Sequence, residues 1–141
     1  MAPKDPKLEL LKTIPLFAGL GGKELERVGQ LVDEIDLPVG KVLMRQGAHG
    51  AEMFIVVEGR FTVERDGKQI AERGPGDTLG EIALVSEGPR TATVTATSPS
   101  RVFVIGHREF HALMDTAPAI RLHILDVLGR RLRSLELDAV H

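Results

Sequence analysis

The sequence predicts a mainly β fold with flanking helices, in which a double-stranded β-helix, or jelly-roll, barrel lies between N-terminal and C-terminal helices. Two observations support this fold class. Between Leu37 and Gly106, short runs rich in Val, Ile, Phe and Thr alternate with glycines, a pattern typical of short strands joined by turns. Before and after this region, apolar residues recur every three or four positions, as they do along one face of a helix.

The length and composition of the chain indicate one domain with its own hydrophobic core. Its 141 residues suffice for such a core without cross-links, and the absence of cysteine excludes a disulfide framework or a thiolate metal site. The start, MAPKDPKLEL, is charged where a signal peptide is apolar, and no apolar run approaches the length of a membrane span. We therefore expect a single domain over residues 1–141, located in the cytoplasm and without a membrane partner.

Residues 1–35 are predicted to form N-terminal helices. A first short helix, interrupted before Pro15, is indicated by apolar residues at spacings of three, namely Leu8, Leu11, Ile14 and Phe17. A second, amphipathic helix from about Lys23 to Asp33 is indicated by spacings of three and four at Leu25, Val28, Leu31, Val32 and Ile35.

Residues 36–106 are predicted to form the barrel. The clearest pair of strands runs from Met53 to Val57 and from Arg60 to Glu64, with alternating apolar and polar residues in the second strand. The dipeptide Asp66-Gly67 is typical of a type I′ turn, which leads into a further strand from Lys68 to Arg73.

The segment from Gly80 to Val94, GEIALVSEGPRTATV, holds the candidate functional residues. It places Glu81 and Arg90 on either side of the apolar run Ile82 to Val85, which we predict to be a short buried helix. An arginine can grip two phosphate oxygens, and a carboxylate accepts hydrogen bonds from hydroxyl groups. The backbone N–H groups around Ile82, Ala83 and Leu84, at the start of this helix, are expected to be unpaired within it and to favour the phosphate anion. The alternative is a surface salt bridge worth less than about 1 kcal/mol, and spacing alone does not decide between the two.

The longer segment GDTLGEIALVSEGPRTATVTA resembles the phosphate-binding cassette of the cyclic nucleotide-binding domain family. The resemblance extends to PLFAGL near the start, RQG at Arg45 to Gly47, the FIVVEG strand and turn, and the closing helices. It implies a site for cAMP or cGMP, with cAMP favoured, and neither a further cofactor nor a metal. In the family the matching glutamate binds the ribose hydroxyl and the matching arginine the phosphate, which implies these roles for Glu81 and Arg90. Further positions that line the family's site match Gly80, Ile82, Ala83 and Thr91.

Recognition of the base is expected to involve four residues, each with an ordinary structural alternative. Thr91 can bond a phosphate oxygen or the amine of a syn guanine, so it permits cGMP without requiring it; otherwise it is a β-branched residue that opens a strand. Val63 and Ile70 are expected beside the base, with plain core positions as the alternative. The run Arg130-Arg131-Leu132 is similar to one in the family whose second arginine approaches the base, which points to Arg131, unless it is a solvated arginine.

Residues 107–137 are predicted to form a hinge and a lid. A short helix around Phe110 precedes a longer final helix that begins near Pro118. The final helix carries an apolar stripe that consists of Ile124, Leu128, Leu132 and Leu135, widened by Ile120 and Val127. The resemblance implies that this helix closes over the ligand. Its surplus apolar surface indicates a homodimer or an effector protein as a partner.

Two alternative classes, an enzyme and a DNA-binding regulator, are less compatible with the sequence. A metal enzyme on a small barrel needs several converging histidines, but none lies in a predicted core strand, so we expect neither metal ligands nor catalytic residues. His107 and His111 share a helical face and are expected to be a solvated pair. A DNA-binding regulator needs a recognition helix after the lid, and the chain ends at His141 with a net charge of −2, so no direct nucleic-acid partner is expected.

A further alternative is a degenerate domain of the same family that binds no nucleotide and serves only protein contacts. The presence of both Glu81 and Arg90 favours nucleotide binding over this interaction module.

Overall fold

The computed structural model describes residues 5–84 and 86–140, with side chains described up to residue 130 and at 132 and 133. The chain divides into two compact units. One unit, Leu31–His111, contains the strands, and the other combines the described residues up to Gln30 with those from Ala112 onward. The mainly β fold with flanking helices is thus confirmed, whereas the predicted domain and segment boundaries stay predictions.

The helices lie before and after the strands in the chain. They are α1 (Pro6–Thr13), α2 (Gly22–Leu31), α3 (His107–Thr116) and α4 (Pro118–Val140). Asp5 caps α1, because its carboxylate accepts a hydrogen bond of 2.9 Å from the Lys7 N–H, one of the donors that a helix start leaves open. Proline opens α4 at the first turn, where its missing N–H costs no hydrogen bond.

The first strand begins earlier than the apolar spacing predicts. That spacing continues through Ile35 and extends the second helix to Asp33, but α2 ends at Leu31 and strand β1 spans Asp33–Leu37. Ile35 pairs with Val102 in an antiparallel ladder. The helical spacing is therefore coincidental at its end, since pairing with a distant strand decides the local structure.

The strands form two four-stranded antiparallel sheets and a short ribbon. The remaining strands are β2 (Val42–Met44), β3 (His49–Gly50), β4 (Glu52–Glu58), β5 (Phe61–Arg65), β6 (Lys68–Arg73), β7 (Thr78–Leu79), β8 (Gly88–Pro89), β9 (Thr93–Ala96) and β10 (Ser100–Gly106). The sheet orders are β1-β10-β4-β7 and β2-β9-β5-β6, and β3 pairs with β8. Phe54 and Val102 of the first sheet share one buried cluster with Phe61 and Val94 of the second. The core of this unit therefore lies between the sheets, as in a jelly roll.

The segment after β7 differs from the predicted buried helix. Gly80 turns the chain with a φ of 73°, and Glu81–Leu84 then forms a single 3₁₀ helix, called the 3₁₀ turn below. Ala83 and Leu84 are buried, but the Ile82 side chain is 70% exposed. A single turn has one buried side, so the apolar run does not pack as a whole.

Candidate ligand-binding site

A cavity of about 310 Å³ lies beside the 3₁₀ turn, within the Leu31–His111 unit. Its lining consists of Gly80, Ile82 and Ala83, the segment 86–91, and Met44 and Gly50 from the facing strands. The cassette therefore surrounds a concave space, which is what a small-molecule ligand requires.

Arg90 is fixed in the wall of this cavity by its backbone and its side chain. Its N–H donates to the Ala48 carbonyl at 2.7 Å, and its own carbonyl accepts from the Gly47 N–H at 2.8 Å. The side chain donates from Nη1 to the Glu52 carbonyl at 2.9 Å, and the guanidinium carbon lies 5.7 Å from the centroid of the Phe54 ring. That distance is within the range of a cation–π interaction, so the guanidinium is held in place before any ligand arrives.

The environment of Arg90 is unfavourable for an isolated charge. Burial lowers the pKa of the Arg90 guanidinium, and the charge of Glu52 offsets this only in part. Arginine nevertheless remains protonated at neutral pH. A partly desolvated cation of this kind is stabilised by an anion that enters the cavity.

Two glycines make room for the guanidinium. A Cβ atom on Gly50 would overlap the Arg90 side chain, and one on Gly80 would lie 2.5 Å from Arg90 Nη1 and 3.1 Å from the Glu52 carbonyl oxygen. Gly80 also has a positive φ, which disfavours other residues there. Gly80 was among the predicted site residues, whereas Gly50 was not.

Glu81 opens the 3₁₀ turn and is half-buried. Its Oε1 accepts a hydrogen bond from the Thr78 hydroxyl, which fixes the carboxylate next to the turn. The Ala83 N–H, one of the groups expected to be open to phosphate, donates instead to the Gly80 carbonyl at 3.1 Å. The expectation of an unpaired N–H at Ala83 is therefore wrong, because the 3₁₀ turn closes on itself.

The residues predicted to contact the base are only partly brought together. Thr91 is exposed and lines the cavity, and its carbonyl accepts a hydrogen bond of 3.0 Å from Arg65 Nε. Val63 is buried in the core between the sheets. Ile70 is 50% exposed, so the core interpretation is wrong for it, and it lies outside the cavity lining, so its contact with the base stays a prediction. The side chain of Arg131 lies outside the described residues.

A register shift explains the position of Ile70. Val63 pairs with Ala71 and Glu64 pairs with Gln69, so Ile70 is the extra residue of a bulge in β6. The alternation of inward and outward side chains is interrupted there, and a strict period of two cannot predict where Ile70 points.

The expected solvated histidine pair on α3 is also wrong. His107 Nδ1 forms a hydrogen bond with the Ala83 carbonyl of the 3₁₀ turn. The rings of His107 and His111 lie 4.2 Å apart between centroids, with planes tilted by 31°. Both side chains are half-buried, His107 contacts the cassette, and His111 packs on the His107 ring, so the pair is not a fully solvated one.

Comparisons with known proteins identify the family. The sequence profile of the family described as cyclic nucleotide-binding domain matches residues 34–117, more than half of the chain. The chain therefore belongs to the cyclic nucleotide-binding domain family, whose members serve as regulatory domains.

Relatives with the same domain occur in several kinds of protein. A cyclic nucleotide-gated potassium channel of Rhizobium etli is 35% identical over 79% of this chain, which spans only 31% of the channel. The solved N-terminal domain of a transcriptional regulator from Streptomyces coelicolor is 31% identical, with a TM-score of 0.87 over 94% of this chain and 95% of that one. The regulatory domain of Toxoplasma gondii PKA, crystallised with cAMP, is 31% identical, with a TM-score of 0.71 over 83% and 49% of the two chains.

Among the described residues, no helix combines the length and apolar character needed to cross a membrane. In the same part of the chain, no three His, Asp or Glu side chains are grouped so that they could hold a metal ion.

Proposed function

We propose that this chain is a sensor that binds a cyclic purine nucleotide, cAMP in preference to cGMP, without hydrolysing it. The observation that carries the proposal is the half-buried Arg90 guanidinium, fixed in the cavity wall by the Glu52 carbonyl and the Phe54 ring. A regulatory domain needs affinity and a change of state upon binding, but no reacting group.

The phosphate is proposed to bind to Arg90. The guanidinium has five N–H donors, and within the described residues this side chain donates only one hydrogen bond. Two donors on one edge can therefore reach two phosphate oxygens together, in the bidentate geometry that arginine favours. The singly charged phosphate would compensate the Arg90 guanidinium for the hydration that it loses through partial burial.

The ribose is proposed to bind to Glu81. A carboxylate offers about four acceptor sites, so Glu81 can accept a ribose hydroxyl and keep its hydrogen bond from Thr78. Glu81 is one residue from Gly80, which faces Arg90. The sugar and the phosphate would thus be recognised by the two ends of one short segment.

The base is proposed to rest on the exposed Ile82 side chain, with Thr91 next to the phosphate and Arg131 approaching from the final helix. Ile82 offers apolar surface at the cavity, which suits the face of a purine. Thr91 permits either purine. The preference for cAMP is supported by the Toxoplasma gondii relative, whose structure contains cAMP.

We further propose that binding is signalled by a hinge in residues 110–116 and closure of α4 over the base. A homodimer or an effector protein would then contact this helix. Leu122, Leu125 and Leu132 are exposed and recur at spacings of three and seven, which places them on one face of α4.

Isothermal titration calorimetry with cAMP and with cGMP tests the proposal. We expect saturable binding of both nucleotides, with the tighter dissociation constant for cAMP. Tighter binding of cGMP would overturn the assigned preference. No heat with either nucleotide, confirmed by equilibrium dialysis, would instead support the interaction module that binds no nucleotide.

A further inference from the structure

His107 connects the start of α3 to two segments that build the cavity. Its ring Nδ1 bonds the carbonyl of Ala83 in the 3₁₀ turn. Its backbone N–H donates to the Ala51 carbonyl at 2.7 Å. Ala51 stands between Gly50, which packs against Arg90, and Glu52, whose carbonyl holds Arg90. His107 therefore forms hydrogen bonds to both the segment that carries Glu81 and the segment that holds Arg90.

We infer that His107 is a positioning residue for nucleotide binding, which acts through Ala83 and does not touch the ligand. The inference rests on the proposed function and adds to it a residue that is remote from the cassette in sequence. Ala83 lines the cavity and follows Glu81 by two residues, so a shift of its peptide would also move the Glu81 carboxylate.

The chemistry of the bond fixes one tautomer of His107. A carbonyl oxygen can only accept a hydrogen bond, so the proton must be on Nδ1, and Nε2 carries the lone pair when the ring is neutral. Ala83 is 4% exposed, so water cannot readily replace a lost donor at this turn. Removal of the imidazole would therefore leave a buried carbonyl less well satisfied and the turn less firmly held.

His111 supports the orientation of His107. It lies one helical turn further along α3, and its ring packs against the His107 ring at 4.2 Å between centroids. Its Nε2 is buried and has no hydrogen-bond partner among the described residues. The contribution of His111 is therefore the contact between the rings, which limits the rotamers open to His107.

The first experiment measures the tautomer in the unmodified protein. Long-range proton–nitrogen NMR correlations of the neutral His107 ring, recorded without nucleotide, should show a protonated Nδ1 and an unprotonated Nε2. The reverse assignment would overturn the inference, because the ring could not then donate to Ala83.

The second experiment compares cAMP affinity in three variants by calorimetry. His107→Ala removes the donor, and we expect about tenfold weaker binding. His107→Asn places an amide N–H near the position of Nδ1 and should stay within about threefold of the unmodified protein. Arg108→Gln is the matched control at the next position of α3, since the Arg108 side chain is exposed and makes no hydrogen bond or ion pair among the described residues. It should bind as the unmodified protein does.

The possible outcomes separate this inference from the proposed function. If the unmodified protein binds cAMP and His107→Ala binds equally well, His107 does not position the site. Equal weakening in His107→Asn and His107→Ala would also overturn it, because the donor would then be irrelevant. Unfolding temperatures without nucleotide identify a misfolded variant; if His107→Ala does not fold, the tautomer and the His107→Asn affinity decide. Failure of the unmodified protein to bind cAMP or cGMP counts against the proposed function, while the tautomer still tests the bond.

Discussion

Two arginines of the same β unit have opposite surroundings. Arg101 on β10 donates from Nε to Asp36 at 2.8 Å, and the carboxylates of Glu34 and Glu58 each lie 3.9 Å from its guanidinium. Arg90 instead contacts a backbone carbonyl and the Phe54 ring. The hydrogen bond and charge of Asp36 raise the pKa of Arg101, whereas burial lowers the pKa of Arg90.

This difference distinguishes an arginine that the protein neutralises from one that an anion can neutralise. Arg101 is surrounded by carboxylates and open to solvent, so a ligand anion would gain little there. No carboxylate forms a direct ion pair with Arg90 among the described residues, and the cavity in front of it is large enough for a small molecule. Arg90 is therefore the candidate anion-binding group, because it lacks the carboxylate partners that Arg101 has. Four experiments test this contrast and the site around Arg90.

The largest effect is expected for Arg90→Ala. Loss of a bidentate, partly buried phosphate contact should weaken cAMP binding on the order of 100- to 1,000-fold, measured by calorimetry. Arg101→Ala is the matched control and should leave the dissociation constant within about twofold, since its partners are exposed carboxylates. Equal losses of cAMP affinity in the two variants would mean that each arginine contributes only through the net charge of the protein, without a direct contact with the phosphate.

Gly50→Ala should have the next largest effect. The added Cβ overlaps the Arg90 side chain, which must move away from the Glu52 carbonyl, so we expect about tenfold weaker cAMP binding and a lower unfolding temperature. Gly22→Ala is the control, because a Cβ there meets no atom within 4 Å. Unchanged affinity in Gly50→Ala would show that the position of Arg90 is not critical.

The role of Glu81 can be isolated by changing the ligand and the protein together. The unmodified protein should bind 2′-deoxy-cAMP about tenfold more weakly than cAMP, because a hydrogen bond to a charged group is lost. Glu81→Ala should bind both nucleotides with similar affinity. A persistent preference for cAMP over 2′-deoxy-cAMP in that variant would mean that another group binds the ribose hydroxyl. Loss of the hydrogen bond between Thr78 and Glu81 affects both nucleotides equally, so it cancels when their affinities are compared.

The predicted site residues that line one cavity are close together in sequence. Gly80, Arg90 and Thr91 belong to one short segment whose resemblance to the family's phosphate-binding cassette indicated a ligand, and the structure places all three around one cavity. The fold class was predictable for a similar reason, since glycine turns and short apolar runs are local signals.

The remaining features depend on pairing between distant segments. Gly50 meets Arg90 only because β3 pairs with β8, and Glu52 contributes a backbone carbonyl that any residue could supply. No side-chain pattern reveals such a group. The bulge at Ile70 and the bond from His107 to Ala83 likewise follow from register and tertiary packing, to which hydrophobic spacing is insensitive.

The smallest effect is expected for the stability of Arg101→Ala, which tests the other half of the comparison. Its three carboxylate partners would be left to repel one another, so at low salt the unfolding temperature should fall slightly. The decrease should vanish at about 1 M salt, where the screening length is about 3 Å. The same titration on Arg90→Ala, without nucleotide, should show little dependence on salt, because Arg90 is held by a carbonyl and an aromatic ring. A salt-independent loss in Arg101→Ala would mean that packing of its side-chain stem, not ion pairing, stabilises this face of the sheet.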